Sequence, residues 1–241
     1  MHTPFFGEFM GTLILVLLGN GVVANVVLSK TLGENSGWVV ISTGFFAAVM
    51  SGVAVAQACG SPGAHINPAV TIGAAVLTGD FSNVGTFIAA QLLGAFTGAV
   101  LVWIHFLPHW GVTSDAGKKL ACFSTGPAIK NTGANLISET LGSFLLVLII
   151  MAALSKAVSG AGPASGMAPY LVGAIVWAIG NGLGGTTGFA INPARDLGPR
   201  IAHAILPIPG KGSSNWGYSW IPVVGGLLGG AVAGAFVKAA F

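Results

Sequence analysis

The tripeptide Asn-Pro-Ala occurs twice, at Asn67-Pro68-Ala69 and at Asn192-Pro193-Ala194, and each copy has the chemistry of a helix start. Asparagine caps a helix by accepting a hydrogen bond from a first-turn N–H, and Pro68 and Pro193 fall where the first helical turn accepts proline. A helix N-terminus carries unsatisfied N–H groups and about half a positive charge. An asparagine that caps through its side-chain oxygen still has an NH2 group to donate. Two such ends facing each other would set two donors in a positive field. That gap welcomes the oxygen of a neutral molecule, repels cations and interrupts a hydrogen-bonded chain that would otherwise relay protons. Arg195 follows the second copy directly. Its planar fork keeps its charge and can bind two neighbouring hydroxyls. An arginine at membrane depth is costly, which favours a place on a cavity wall.

The elements that must carry these residues follow from composition. Of 241 residues, 54% are hydrophobic and 6% charged, with nine Lys+Arg against six Asp+Glu. A soluble domain carries about 25% charged residues, so this chain cannot cover a water-facing surface. A net charge of +3 is too small and scattered for a nucleic-acid surface. Two isolated cysteines, Cys59 and Cys122, make neither a disulfide framework nor a zinc site. Charge-free runs measure the spans. The run 35–79 would extend on the order of 65 Å as one helix, against roughly 30 Å of hydrocarbon, so it must turn back. Six full spans are expected at about 4–28, 37–57, 84–106, 134–154, 168–183 and 217–238. The N-terminus lacks a basic region ahead of the first, which is expected to be retained rather than cleaved. Two segments, about 67–78 and 192–203, are too short to cross. Each starts at an Asn-Pro-Ala, and short helices at membrane depth need protein or a water-filled cavity around them.

The two halves resemble each other. Glu8-Phe9-Met10-Gly11-Thr12-Leu13 opens one and Glu139-Thr140-Leu141-Gly142-Ser143-Phe144 the other, each with an Asn-Pro-Ala downstream. Three spans per half invert the second half relative to the first. Inverted repeats with broken helices meeting mid-membrane are a transport architecture. The expected organisation is one membrane channel domain over 1–241, with pseudo-repeats 1–115 and 116–241.

The motifs Gly63-Ala64-His65-Ile66-Asn67-Pro68-Ala69-Val70-Thr71 and Gly188-Phe189-Ala190-Ile191-Asn192-Pro193-Ala194-Arg195-Asp196 resemble the aquaporin (major intrinsic protein) family over nearly the whole chain. The resemblance implies an all-α membrane fold of six transmembrane helices plus two re-entrant half-helices, a right-handed bundle with one pore per protomer, and a homotetramer. Asp196, the following Leu197-Gly198-Pro199-Arg200, and Pro222-Val223 in the last span look like the glycerol-facilitator branch. The connection between the third and fourth spans is shorter than is usual there. Carried over, the narrowest point comprises Arg195, Phe189, Gly180 and an aromatic of the second span. Gly180 implies room for a carbon chain where water-selective members carry His. Two positions fit the aromatic. Ungapped counting from Asn67 lands on Ala47; the local pattern Thr43-Gly44-Phe45-Phe46 selects Phe45, with a longer loop through Ser61-Pro62. Phe45 is the preferred candidate. Glu8 and Glu139 are implied to hold the re-entrant loops through hydrogen bonds, although buried carboxylates also suit a proton relay. His65 either positions its loop or faces the pore. Carbonyls of Gly60, Ser61, Gly63, Ala64, Gly184, Thr186 and Gly188 are candidates for a ladder of acceptors.

The expected function is a passive channel for small uncharged solutes, glycerol and similar polyols plus water, with no catalysis and no cofactor. No nucleotide-phosphate loop or metal-ligand spacing is present. The cluster His105, His109 and Asp115 reads as an interfacial loop rather than a metal site. The competing reading is an ion- or proton-coupled secondary transporter, whose ionisable groups would be Glu8, Glu139 and Arg195-Asp196. Trp103, Trp110, Trp216 and Trp220 fit interfacial belts. Gly94 and Gly98, with Gly226, Gly230 and Gly234, fit close helix packing. The resemblance also implies a multi-pass protein of the plasma membrane with both termini cytoplasmic. That leaves Lys30, Lys118, Lys119, Lys130 and Lys211 outside and only Lys156 and Lys238 inside, against the positive-inside tendency.

Overall fold

A computed structural model describes residues 2–160 and 162–240. Among the described residues the chain forms eleven helices and no strand: α1 (Pro4–Val27), α2 (Trp38–Ala58), α3 (Pro68–Thr78), α4 (Val84–His105), α5 (Leu107–Val112), α6 (Ala116–Ala121), α7 (Thr132–Leu154), α8 (Lys156–Ser159), α9 (Met167–Leu183), α10 (Pro193–Ile205) and α11 (Trp216–Ala240). Helices α1, α2, α4, α7 and α11 have the length and apolarity of membrane spans, with mean hydropathy between 1.8 and 2.2. The 17 residues of α9 reach about 26 Å, the short end of the spanning range. These six match the expected spans to within a few residues, and α3 and α10 are the two short segments.

Helix ends follow the local sequence. Thr3 caps α1 by accepting from Phe6 N–H, with Pro4 in the first turn. Helix α3 stops at Gly79, whose φ of 77° is the left-handed conformation that glycine adopts freely. The C-terminal carbonyls of α10 are collected by Lys211, whose Nζ donates to His203, Ala204 and Leu206 at 2.7–2.8 Å. A cation suits that end of the helix dipole.

The fold is inside-out relative to a soluble bundle. Along α11 the large side chains Val224, Leu228, Val232 and Phe236 are exposed, while Gly225, Gly226, Gly229, Gly230 and Gly234 are buried. Lipid tolerates the apolar surface, so small residues face protein and let backbones touch. A Cβ on Gly230 or Gly234 would collide with the Ala69 or Gly73 carbonyl of α3, and one on Gly94 or Gly98 with the Phe9 or Leu13 carbonyl of α1. Each half-helix packs against the last span of the opposite half, α3 on α11 and α10 on α4. The halves are thereby interlocked around the two re-entrant segments.

The α4–α7 connection, expected as an interfacial loop, folds into α5 and α6. There Trp110 departs from the expected interfacial belt. It is 1% exposed, donates from Nε1 to Trp103 O at 2.9 Å, and lies against Phe123 with ring centroids 5.6 Å apart. Trp216 and Trp220 are exposed. His109 Nδ1 lies 3.0 Å from Ser29 O, and Asp115 caps α6 by accepting from Gly117 and Lys118 N–H.

Candidate functional site

The two half-helices meet N-terminus to N-terminus. Asn67 Oδ1 accepts from Ala69 N–H at 2.8 Å, and Asn192 Oδ1 accepts from Ala194 and Arg195 N–H at 3.1 and 3.2 Å. Each amide also reaches across the junction. Asn67 Nδ2 donates to Ile191 O at 2.8 Å and Asn192 Nδ2 to Ile66 O at 2.9 Å. Of the two NH2 groups expected to face the gap, one hydrogen of each clamps the opposite loop, and one per amide remains to donate.

The loops entering these helices hold an unusual backbone. Ala64, Ile66, Phe189 and Ile191 all have φ near +40°, a conformation costly for a β-branched isoleucine. Buried carboxylates hold it in place. Glu8 Oε1 accepts from Ser61 Oγ and His65 N–H at 2.7 and 2.8 Å; its Oε2 accepts from Ile66 N–H and Gln91 Nε2 at 2.7 and 2.8 Å. Glu139 does the same in the second half with fewer partners, accepting from Ala190 and Ile191 N–H at 3.1 and 2.9 Å. Both carboxylates are fully buried and turned to the loops. His65 joins the first network through Nδ1, 3.2 Å from Thr71 Oγ1, and also lines the cavity described next.

A cavity of about 330 Å³ leads to the junction. Its walls are of two kinds. Phe45, Val49, Val53 and Gln57 of α2, Leu146, Ile150 and Leu154 of α7, and Ala168, Val172 and Val176 of α9 recur every fourth residue and, Gln57 apart, form apolar stripes. A helix brings such residues onto one face. The other wall is the two re-entrant loops with Asn67, Asn192, His65 and Arg195. Of the candidate carbonyl ladder, Gly63 and Ala64 line this cavity, and Ser61 O, Gly184 O and Thr186 O each accept one bond, from Ala64, Gly188 and Ala128 N–H.

Phe45, Phe189 and Arg195 come together at one point of that lining. The two rings are edge to face with centroids 5.4 Å apart, and the Arg195 guanidinium carbon lies 4.8 Å from the Phe45 ring centre. Such a cation–ring contact is favourable. Arg195 Nη1 is buried with no protein partner. Ala47, the other candidate from counting, is exposed on α2 and lies outside the cavity. Gly180 stands beside the Phe189 ring, where a Cβ would lie 3.1 Å from Cε2 and Cζ, so the missing side chain makes room for that ring. Trp38, not anticipated, closes the back of that ring, 5.5 Å centroid to centroid, and donates from Nε1 to Gly180 O at 2.9 Å.

Asp196 turns away from the cavity. Its Oδ1 accepts from Arg200 Nη2 and Nε at 2.7 and 3.0 Å, and its Oδ2 from Thr125 N–H and Oγ1, both at 2.7 Å. Arg200 donates further to Thr125 O, Ser214 O and Asn215 O. This fully buried pair ties two loops to α10 one residue from Arg195. Thr125 and the carbonyls of Ser214 and Asn215 carry no sequence signal, since their role exists only once the loops are folded.

Comparison with known proteins bears on this arrangement. The family model of the Major intrinsic protein matches residues 2–237. The glycerol uptake facilitator protein of Bacillus subtilis is 52% identical over 99% of this chain and 85% of its own length. That of Streptococcus pneumoniae strain R6 is 54% identical over 97% of each. The X-ray structure of the aquaglyceroporin from Plasmodium falciparum superposes with a TM-score of 0.85 at 29% identity, covering 98% of this chain and 95% of that one. With six spans, two interlocked half-helices and the paired Asn-Pro-Ala junction in place, the chain belongs to the major intrinsic protein family and has the aquaporin fold in an integral, multi-pass membrane protein.

Proposed function

We propose that this protein is a passive channel for glycerol and similar small polyols, with water also passing. The two-faced cavity carries the reading. A polyol has hydroxyls along one edge and C–H groups along the other, and the cavity lining combines polar groups of the re-entrant segments with apolar stripes of the spanning helices. Arg195, with an unpartnered buried Nη1, Asn67, Asn192 and His65 serve the hydroxyls; Phe45 and Phe189 serve the carbon backbone. Gly180, Pro68, Pro193, Glu8, Glu139 and Asp196 hold these groups in place. The relatives named as glycerol uptake facilitators support glycerol as the cargo. Coupled transport is disfavoured because Glu8, Glu139 and Asp196 are each engaged by protein donors and none lines the cavity.

The chain is read as one channel domain with pseudo-repeats 1–115 and 116–241, working as a homotetramer in the plasma membrane among its lipids, with both termini cytoplasmic. Lys119 and Lys211, on the side that this orientation leaves outside, donate to carbonyls at Pro209 and at the end of α10. The test is stopped-flow light scattering on proteoliposomes shrunk with glycerol, xylitol, urea or sucrose. Fast reswelling with glycerol and none with sucrose is expected. Reswelling no faster than in protein-free vesicles would refute the channel, and accessible tags on 118–130 at the cytoplasmic face would refute the orientation.

A further inference from the structure

We infer that Gly19 of α1 is a specificity-determining position, because it is the seat of the Phe45 ring. This rests on the reading of Phe45, Phe189 and Arg195 as the constriction that solutes pass. A Cβ built on Gly19 would stand 2.6 Å from Phe45 Cε1 and 3.0 Å from Cδ1 and Cζ, and these ring atoms are its three nearest neighbours. Most buried glycines of the bundle differ. On Gly11 a Cβ meets the Gly52 carbonyl at 2.7 Å, and on Gly52 the Gly11 carbonyl at the same distance. Those positions set the distance between helices. Gly19 instead sets where one side chain lies.

The ring has little freedom. Phe45 is 3% exposed, with Gly19 at its edge, Phe189 set edge to face and the Arg195 guanidinium beside it. A methyl group at position 19 would push the ring away from α1, toward the cavity that it lines. Overpacking of a well-filled site moves side chains off their preferred positions. The relation mirrors the opposite wall, where Gly180 of α9 makes room for Phe189. The aperture is therefore set by glycines behind each phenylalanine, Gly19 for Phe45 and Gly180 with Gly184 for Phe189. A larger residue at 19 narrows it without touching a polar group, so the loss grows with solute girth and is least for water.

The experiment measures water, glycerol and xylitol permeability of proteoliposomes holding wild type, Gly19→Ala, Phe45→Leu, the double variant, and Gly21→Ala as a control, since a Cβ on Gly21 meets nothing within 4 Å. Gly19→Ala is expected to lower glycerol permeability about threefold and xylitol about tenfold, with water changed less than about twofold. In the Phe45→Leu background the same substitution is expected to have no effect on any solute, the signature of two residues acting through one contact. Gly21→Ala is expected to match wild type. Should Gly19→Ala fail to accumulate, Phe45→Leu is expected to restore it, and failure to do so would overturn the inference. An equal fall for water and both polyols would also overturn it, as would a Gly19→Ala effect that persists in the Phe45→Leu background. Wild type without polyol flux would instead overturn the channel reading on which the inference rests.

Discussion

In the proposed channel Arg195 would serve a solute's hydroxyls and the Phe45 and Phe189 rings its carbon backbone, and replacing either kind of group has a different consequence. Arg195 is 5% exposed and has a free Nη1. Two unit charges about 5 Å apart repel by about 3 kcal/mol at an effective dielectric of about 20. Arg195→Val is therefore expected to raise cation leak at least about tenfold, measured as potassium efflux from proteoliposomes. An unchanged leak would mean that the Asn67–Asn192 junction alone is the barrier. Phe45→Trp should reorder the solutes, lowering xylitol relative to glycerol with little change in water, because the larger ring has only the cavity to grow into. Identical solute rankings would remove Phe45 from the filter. The polar members of this site could be named from sequence because Asn-Pro-Ala-Arg is local. Phe45 was ambiguous with Ala47 because the extra length near Ser61-Pro62 shifts the count from Asn67. The contact of Gly180 with Phe189 is not legible in the sequence, since folding alone brings that ring beside it.

The re-entrant loops are held by one carboxylate each, and the two anchors are unequal. Glu8 serves four donors, two on each oxygen, whereas Glu139 accepts from one loop N–H on each oxygen. Glu8→Ala removes the acceptor of four donors and Glu139→Ala that of two loop N–H groups, each donor left unpaired costing about 1–3 kcal/mol. Thermal unfolding in detergent should show the larger fall in Tm for Glu8→Ala; the reverse order would mean that the anchors do not act through these bonds. Removing one partner of the buried Asp196–Arg200 pair leaves an uncompensated charge, expected to cost about 3–5 kcal/mol. Arg200→Met should accordingly lower Tm sharply, and a variant as stable as wild type would contradict that role. The long helices could be read in advance because charges delimit them. Helices α5 and α6 could not, since each has six residues and depends on tertiary contacts such as Trp110 against Phe123.

Interlocking is what makes a junction of two short helices stable at membrane depth. Helix α3 lies on α11 and α10 on α4, so each half supplies the wall that buries the other half's re-entrant segment. The twofold repeat of Glu and Asn-Pro-Ala announced this arrangement, because an odd number of spans per repeat forces inversion. The every-fourth-residue stripes of α2, α7 and α9 that line the cavity were not legible, since such a stripe in an apolar helix reads the same whether it faces solute, protein or lipid. The consequence of the closed junction is conduction driven by the solute gradient alone. The most direct measurement follows labelled glycerol and internal pH together in proteoliposomes, with and without an imposed proton gradient. Glycerol should equilibrate to equal concentration inside and out at the same rate in both cases, with no glycerol-dependent proton entry. Accumulation above the external concentration, or acidification that tracks glycerol uptake, would contradict a passive pore.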